Sequence, residues 1–312
     1  MGRFGVELFF VLSGRLMAEI LFVKKLSLPD FFRRRIARVW PALLVFLLAI
    51  GILSRIRSYL HVTGFNLWAA LIVIANYTGA FGYRCAVLDH IWTLCIEEHT
   101  YLLLGLIAVW TRRTGANPAT ICLTGAGFCV LSGAFQTIVL HKDYYAVYWR
   151  TDARASSILL SCGLFLAFQK KQGFHLSFVP VVMGFIGFLL NLDPVPDVLK
   201  YSLGSTCLAF AVCLIDKAPA GILNILSQTI LIRLGLWSFS LYLWQQPFAM
   251  FYGISHPYFA LPALIICTLA SFYLVEQPAR RHLNTHWGKN RGKTTRNVSA
   301  GAFNSKIEVA SE

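Results

Sequence analysis

The sequence has few charged side chains, and only a minority of them are acidic. Charged residues make up 13% of the 312 positions, against roughly 25% in soluble domains, while 57% are hydrophobic. This shortage excludes an ordinary soluble domain, and the recurring apolar stretches of bilayer length indicate an integral membrane protein. The formal net charge is +14. Because the basic residues fall in short loops and a tail, nucleic acid is not an expected partner.

The cysteines lack the spacing of a metal or redox site. All eight are scattered, mostly through apolar stretches, and no two form a C-x-x-C pair. We interpret them as small buried hydrophobic side chains. His90 and His99 flank a pair of glutamates, but no third ligand has suitable spacing, so no metal site is predicted.

The apolar stretches predict an all-α protein, a polytopic bundle of transmembrane helices. They fall at about residues 4–22, 41–54, 66–82, 92–110, 118–140, 155–168, 176–192, 200–215, 230–250 and 258–276. Residues 1–281 are expected to form one membrane-embedded domain. Residues 282–312 are polar and too few to bury a core, so a disordered cytoplasmic tail is expected there.

The basic residues predict the orientation of the bundle. Lys and Arg cluster at 24–38 and again in the tail, which places both regions in the cytoplasm. One later stretch therefore cannot cross the membrane. Stretch 66–82, interrupted by Asn76 and Gly79, is the best candidate for a re-entrant segment, which leaves about nine spanning helices. The amino end then falls outside, so we expect a further helix to precede it.

The stretch DHIWTLCIEEHTY, residues 89–101, is the first place to look for chemistry. Its two glutamates open a predicted membrane helix, and an ionised side chain at the bilayer centre costs roughly 2.5–3.5 kcal/mol. Glu97 and Tyr101 are four residues apart and share a helix face, whereas Glu98 is expected to point elsewhere. We place Glu97 one to two turns below the outer surface. There it could bind sugar hydroxyls, orient a base, or pair with an arginine of a neighbouring helix.

Two sets of arginines have both a structural and a functional interpretation. Arg35 and Arg38 are three residues apart, so they lie on one helix face, where they either anchor the loop in the cytoplasm or bind a phosphate-bearing ligand. Arg154 opens another segment on the outer side. It is the expected counter-ion of Glu97, a contact for an anionic acceptor, or an interfacial arginine.

The last two apolar stretches carry polar residues of their own. Tyr242 and Trp244 lie in LGLWSFSLYLWQQP, where hydroxyls and aromatic rings are more often used for packing and interhelical hydrogen bonds than for chemistry. Glu276 precedes Pro278, and capping or an ion pair with Arg280 is its expected role.

Six stretches, taken in order, resemble the acyltransferase-3 family of integral membrane O-acyltransferases from bacteria. They are GVELFFVLSG, FFRRRIARVWPAL, IWTLCIEEHTY, RTDARASSILL, LWSFSLYLWQQP and LVEQPARR, and together they cover nearly the whole chain. The family's tryptophan, glutamate and tyrosine motif, present here as WTLCIEEHTY, implies catalytic roles for Trp92, Glu97 and Tyr101. The family's arginine motif implies that Arg35 and Arg38 bind the acyl donor.

The remaining candidate residues surround these motifs. We assign Arg154 and His90 to the acceptor side, and Tyr242, Trp244 and Glu276 to supporting positions. The sequence departs from the family pattern at Ser156, where relatives commonly have an aspartate.

The resemblance implies transfer of an acyl group, most often acetyl, from acyl-CoA in the cytoplasm to a hydroxyl of a cell-surface carbohydrate. Lipopolysaccharide, exopolysaccharide and peptidoglycan are the expected kinds of acceptor. Acyl-CoA is a co-substrate, so no bound cofactor is expected, and a separate partner protein is left open. The expected setting is the plasma (inner) membrane of a bacterium, with the carboxyl terminus in the cytoplasm. The alternatives are a transporter or flippase of an acyl group or lipid-linked sugar, and an inactive truncated relic.

Family members begin with a helix that carries an arginine and then a histidine regarded as the catalytic base. That helix would precede Gly5. We therefore expect the 312-residue chain to be inactive and an upstream extension to restore acetylation. Neither His90 nor His99 is assigned as a replacement base.

Overall fold

The computed structural model describes residues 2–56, 60–169, 177–252 and 257–286. Within these ranges the chain is helical and contains no strand, which confirms the predicted all-α class. The α-helices are α1 Gly2–Met17, α2 Leu28–Ile56, α3 Gly64–Leu71, α4 Ala75–Ala80, α5 Trp92–Thr114, α6 Pro118–Ile138, α7 Tyr144–Tyr148, α8 Thr151–Arg154, α9 Ser156–Gln169, α10 Val179–Leu190, α11 Asp197–Leu199, α12 Ser205–Cys213, α13 Ala220–Leu226, α14 Thr229–Tyr252, α15 Pro257–Ala270 and α16 Gln277–His286.

Short turns of other helix types extend four of these elements. Ala18–Val23 follows α1, Asp89–Ile91 precedes α5, Lys200–Gly204 joins α11 to α12, and Ser271–Glu276 joins α15 to α16. Helix α16 continues to His286, beyond the predicted domain end at residue 281. Most of the predicted tail, 287–312, lies outside the described residues.

Five helical segments of the described chain are long and apolar enough to cross a bilayer. They are Leu28–Ile56, Asp89–Thr114, Pro118–Ile138, Thr151–Gln169 and Tyr258–Thr285. A sixth arises if α13 and α14, which are bent by 51° where they meet, act as one span. These segments confirm a membrane protein, while the count of about nine spans stays a prediction.

The stretch at 66–82 is interrupted, as its sequence predicts. It forms α3 and α4, of 8 and 6 residues, each far shorter than the roughly 20 residues that a crossing needs. Asn76 is buried in α4, and its Nδ2 donates to the carbonyl oxygen of Trp149 (3.0 Å) and to Thr151 Oγ1 (3.1 Å). Two short helices with such polar support inside the protein fit a re-entrant hairpin.

Helix α5 lies at the centre of the bundle. In its most apolar window 72% of the residues are buried inside the protein, against 22% to 56% for the other four candidate spans. It contacts α1, α4, α6, α8 and α9. Glu97, Glu98 and Tyr101 of α5 are therefore buried within the protein.

A close approach of α1 to α9 carries the polar residues of α1 inward. A Cβ atom at Gly14 would collide with the carbonyl oxygen of Ile158, so the two backbones could not pack this way with a larger residue. Ser161 Oγ adds a hydrogen bond to the carbonyl oxygen of Val11 (2.7 Å). Small residues at helix contacts serve the same purpose in other membrane bundles.

The ends of α1 and α5 meet at one end of the bundle. Arg112 Nη2 donates to the carbonyl oxygens of Leu21 (2.6 Å) and Leu26 (3.1 Å). Helix α5 ends two residues later at Thr114 and is capped by Gly115, whose φ is +72°. The basic residues that follow α1 and those that close α5 therefore lie at the same end. The charge pattern predicts that this end is cytoplasmic.

Candidate active site

Side chains from α1, α2 and α5 meet in the middle of the bundle. We call Ser13, Arg35, Glu97, Glu98 and Tyr101 the central cluster. Arg35 bridges the two carboxylates, because its Nη2 lies 2.9 Å from Glu97 Oε2 and its Nε lies 2.6 Å from Glu98 Oε1. The glutamates are 2% and 5% exposed, so this is a buried ion pair with two acids and one base.

Glu97 accepts more hydrogen bonds than Glu98, the other carboxylate of the central cluster. Its Oε1 accepts hydrogen bonds from Ser13 Oγ and from the Tyr101 hydroxyl (2.5 Å), while its Oε2 accepts from Arg35. The guanidinium carbon of Arg35 also lies 4.5 Å from the centre of the Tyr101 ring. Donors from three helices therefore fix this carboxylate in one orientation, as an active-site group requires.

Two expectations about this region are wrong. Glu98 does not point away from the site, because the planar guanidinium of Arg35 reaches both adjacent carboxylates. Nor are the arginine and Glu97 separated on opposite faces of the membrane. Arg35 lies seven residues into α2, roughly 10 Å from its start, and Glu97 eight residues beyond Asp89, roughly 12 Å into the bundle from the other end. Their long side chains meet at intermediate depth.

Arg38 differs from Arg35 although the two lie on the same helix. It makes no ion pair within the described residues, but it interacts electrostatically with Arg35, Glu97, Glu276 and Arg280. Its guanidinium donors are therefore free for a ligand. Arg35, in contrast, is already engaged by two carboxylates.

Arg154 is not the counter-ion of Glu97. It forms an ion pair with Glu7 of α1, and the two residues are 1% and 0% exposed. Glu7 Oε2 also accepts hydrogen bonds from Ser157 (2.8 Å) and Ser205 (2.7 Å). The arginine was paired with the wrong acid because the nearest carboxylate in space comes from a helix that the sequence analysis did not consider for this role.

Trp92 packs against two aromatic rings near Arg154. Its ring lies edge-on to Phe10 at 6.0 Å and tilted against Tyr148 at 4.6 Å between ring centres. Tyr148 in turn lies 5.0 Å from the guanidinium of Arg154. Trp92 therefore contacts Phe10 and Tyr148, the rings of which both lie near the guanidinium of Arg154.

His90 is not brought to Arg154. Its ring packs against Phe46 (5.7 Å) and Tyr242 (5.1 Å), on the side of α5 that faces α2 and α14. Tyr242 donates its hydroxyl to the backbone carbonyl oxygen of His90 (2.6 Å), and Trp244 packs edge-on against Phe46 at 5.4 Å. These contacts position the start of α5.

Glu276 is held differently from the expectation. Ser240 Oγ donates to its Oε2 (2.9 Å), which gives an interhelical hydrogen bond rather than a cap or an ion pair with Arg280. Arg38 and Arg280 interact with it only electrostatically. Among the described residues, no group of three or more His, Cys, Asp or Glu is placed to hold a metal ion.

Glu7 and Ser13 are functional candidates that the sequence analysis missed. Both lie in GVELFFVLSG, an otherwise apolar stretch. An ionisable residue inside a predicted membrane segment is a site hypothesis by default, and that signal could have identified Glu7. Ser13 gave no comparable signal, because serine is common at helix contacts in membranes.

Comparison with known proteins identifies the class. The family model of acyltransferase-3, described as an acyltransferase domain, matches residues 1–276. The chain therefore belongs to this family, as its motifs suggested. No solved structure matches it.

Curated relatives are O-acetyltransferases by name. The chain is 30% identical to peptidoglycan O-acetyltransferase OatA of Listeria monocytogenes (serovar 1/2a, strain EGD-e) over 52% of its length and 29% of that protein. It is 27% identical to YrhL of Bacillus subtilis (strain 168), provisionally named a peptidoglycan O-acetyltransferase, over 89% of the chain and 50% of the relative. SACOL0978 of Staphylococcus aureus (strain COL), provisionally named an O-acetyltransferase, is 26% identical over 78% of the chain and 45% of that protein. The chain thus spans about half or less of the length of these relatives.

Proposed function

We propose that this protein is a membrane O-acyltransferase that moves an acetyl group from cytoplasmic acyl-CoA to a hydroxyl of a cell-surface carbohydrate. The observation that carries the proposal is the buried central cluster, in which Glu97 is fixed by Ser13, Arg35 and Tyr101. Peptidoglycan, lipopolysaccharide and exopolysaccharide are acceptors of the right chemistry. The names of the relatives favour peptidoglycan among them.

The reaction requires one proton transfer and one exchange of bonds. The acceptor hydroxyl attacks the thioester carbonyl, the ester C–O bond forms, the C–S bond breaks, and the hydroxyl proton ends on the thiol of coenzyme A. Glu97 either binds the acceptor hydroxyl or orients the base that takes its proton. Tyr101 and Ser13 each donate their one hydroxyl hydrogen to Glu97, so their role in this proposal is to position that carboxylate.

Arg38 is our choice for the contact with the phosphates of the donor. Its guanidinium is unpaired in the described chain, and Arg280 adds a second positive charge near it. Arg35 has another role in this proposal, because its fork is occupied by Glu97 and Glu98. Arg35 positions Glu97 and can contact the acyl-CoA only through Nη1, because Nε and Nη2 bond the two glutamates.

The proposal includes a plasma (inner) membrane setting with the carboxyl terminus in the cytoplasm. It also includes about nine spans and one re-entrant segment. The contact of Arg112 with the segment after α1 supports it, because it gathers basic residues at one end of the bundle.

Membrane vesicles test the proposed activity. Inverted vesicles from cells that produce the full gene product receive acetyl-CoA with a labelled acetyl group, and alkali-labile label on glycan is measured. An enzyme leaves a covalent ester, whereas a carrier leaves only transported solute. Glu97→Gln should abolish the ester, and Glu19→Gln is the matched control because that carboxylate pairs with Lys24 at the surface. Label that accumulates as free solute, with no ester, would favour the transporter instead.

A further inference from the structure

A cavity of about 190 Å³ lies beside Arg154, between α6, α7, α8 and the segment 197–201. By the same measure a single water needs roughly 10–15 Å³, so the cavity has room for a ligand much larger than one water. Its polar and aromatic walls come from Lys142, Tyr144, Tyr148, Arg154, Ser156 and Tyr201. Aromatic walls with a few placed polar groups are typical of small-molecule sites.

Two buried groups in this wall lack hydrogen-bond partners. Arg154 is 1% exposed, and although its Nη2 contacts Glu7, its Nε and Nη1 have no acceptor within the described chain. Ser156 is also 1% exposed, and its Oγ is likewise without a partner there. A buried donor without an acceptor is destabilising, so a ligand with acceptor oxygens would satisfy this wall.

The charges around the cavity favour an anionic ligand. Arg154 and Lys142 line it, and Asp197 is the one carboxylate in its lining. Asp197 already interacts with Arg3 and Lys200, each at 3.5 Å, and Glu7 is held by Arg154. The four cations named here outnumber the two carboxylates by two. The cations are Arg3, Lys142, Arg154 and Lys200, and the carboxylates are Asp197 and Glu7.

The tyrosines contribute donors rather than charge. Burial raises the pKa of Tyr148 far above its ordinary value, and the same cause raises the pKa of Tyr144. Both hydroxyls therefore stay protonated at neutral pH and add no negative charge to the cavity. The ring of Tyr201 lies 3.7 Å from the guanidinium of Arg154 and holds it against the wall.

We propose that this cavity binds a sugar unit that carries a carboxylate, as part of the carbohydrate acceptor; the inference rests on the proposed acyl transfer. The carboxylate contacts Arg154 and Ser156, and Lys142 adds charge at the rim. Lys142 also borders a second cavity of about 400 Å³, where His141 and Arg150 are further basic groups and Asp143 is acidic. That second cavity provides space for the neighbouring units of the glycan.

The position of the cavity suits an acceptor site. Tyr148 in its wall packs on Trp92, and Trp92 precedes Glu97 by five residues, roughly 7.5 Å along α5. The wall of the cavity is thus connected to the central cluster through Tyr148 and Trp92. The Trp92 contact also provides a fluorescent reporter of binding.

Direct binding measurements test this site. The full gene product, purified in lipid nanodiscs, is titrated with an oligosaccharide that contains a hexuronic acid and with its carboxyl-reduced counterpart. We expect the acid form to bind about tenfold more tightly or better, the difference that one charge-assisted hydrogen bond makes. Equal affinity for the two forms would overturn the proposal, as would displacement of the acid form by an equal concentration of acetate.

Variants and an activity measurement separate this proposal from the proposed function. Lys142→Gln and Ser156→Ala should each reduce the preference for the acid form, whereas Lys24→Gln, an exposed lysine in the loop after α1, should leave it unchanged. Preferences that stay the same in all three variants would overturn the site. If the acid form is preferred but no acetyl ester forms, the proposed function fails and the site stands. Acetylation of both forms at equal rates would leave the function standing and reject the site.

Discussion

The two adjacent glutamates of the central cluster allow the proposed role of Glu97 to be separated from its structural contribution. Both are buried, both lie on α5, and both pair with Arg35, at 2.9 Å and 2.6 Å. Only Glu97 also accepts hydrogen bonds from Ser13 and Tyr101. Glu97→Gln and Glu98→Gln are therefore a matched pair of perturbations.

The magnitudes follow from the ion pair. Each single change removes the charge-assisted hydrogen bond from Arg35, worth about 1.5–3 kcal/mol, and leaves Arg35 with one carboxylate. Glu97→Gln also makes the hydrogen bonds from Ser13 and Tyr101 neutral rather than charge-assisted. The double change leaves the arginine buried without a counter-charge, which costs about 3–5 kcal/mol when one partner of such a pair is lost. Glu97→Gln should thus be the less stable of the two single variants, and the double variant should be less stable than either of them.

Activity should distinguish the two single variants more strongly than stability does. Glu97→Gln should reduce acetyl transfer by at least about 100-fold, the scale of a positioned proton-transfer group, while Glu98→Gln should cost about tenfold or less. Thermal unfolding in detergent and the rate of alkali-labile ester formation are the measurements. Equal losses of activity in the two variants would refute the reasoning, because they would show that both acids serve only to neutralise Arg35.

Three further predictions concern other parts of the chain. Tyr101→Phe removes the 2.5 Å hydrogen bond to Glu97, so the free energy of unfolding should fall by about 1 kcal/mol and acetyl transfer by more than stability alone explains; unchanged activity would contradict this. Gly14→Val should prevent folding, seen as loss of monodisperse protein in gel filtration, because its side chain would collide with the carbonyl oxygen of Ile158; a normal yield would show that the helices can separate. Burial raises the pKa of the Cys85 thiol to about 11, so maleimide labelling should be very slow at pH 7 and rise roughly tenfold per pH unit up to that value; fast labelling at pH 7 would show an exposed thiol.

Much of the fold could be predicted from the sequence, because apolar length and helical spacing are local properties. The interruption at 66–82 is present as two short helices, and Glu97 bonds Tyr101 as their spacing of four requires. The pairing of charges could not be predicted in the same way. Arg154 pairs with Glu7, and Arg35 pairs with both glutamates of α5. The partner of a buried charge depends on how helices that are far apart in the sequence pack together.

The contact between Arg35 and Glu97 was not predicted. Both had been expected near opposite surfaces, since position along each helix was the only guide. Their side chains are several ångströms long and extend toward each other from neighbouring helices. Glu7 and Ser13 were missed because their stretch was considered only as a membrane segment and as part of the family resemblance.

Donor sidedness in sealed vesicles tests the central claim most directly, namely that a cytoplasmic thioester reaches a carbohydrate through the cluster around Glu97. Labelled acetyl-CoA is supplied either on the cytoplasmic face or on the opposite face, and ester label on glycan is counted for the unaltered protein and for Glu97→Gln. We predict ester only when the donor faces the cytoplasmic side and only when Glu97 is intact. Ester formed equally from both sides, or formed undiminished by Glu97→Gln, would contradict the account.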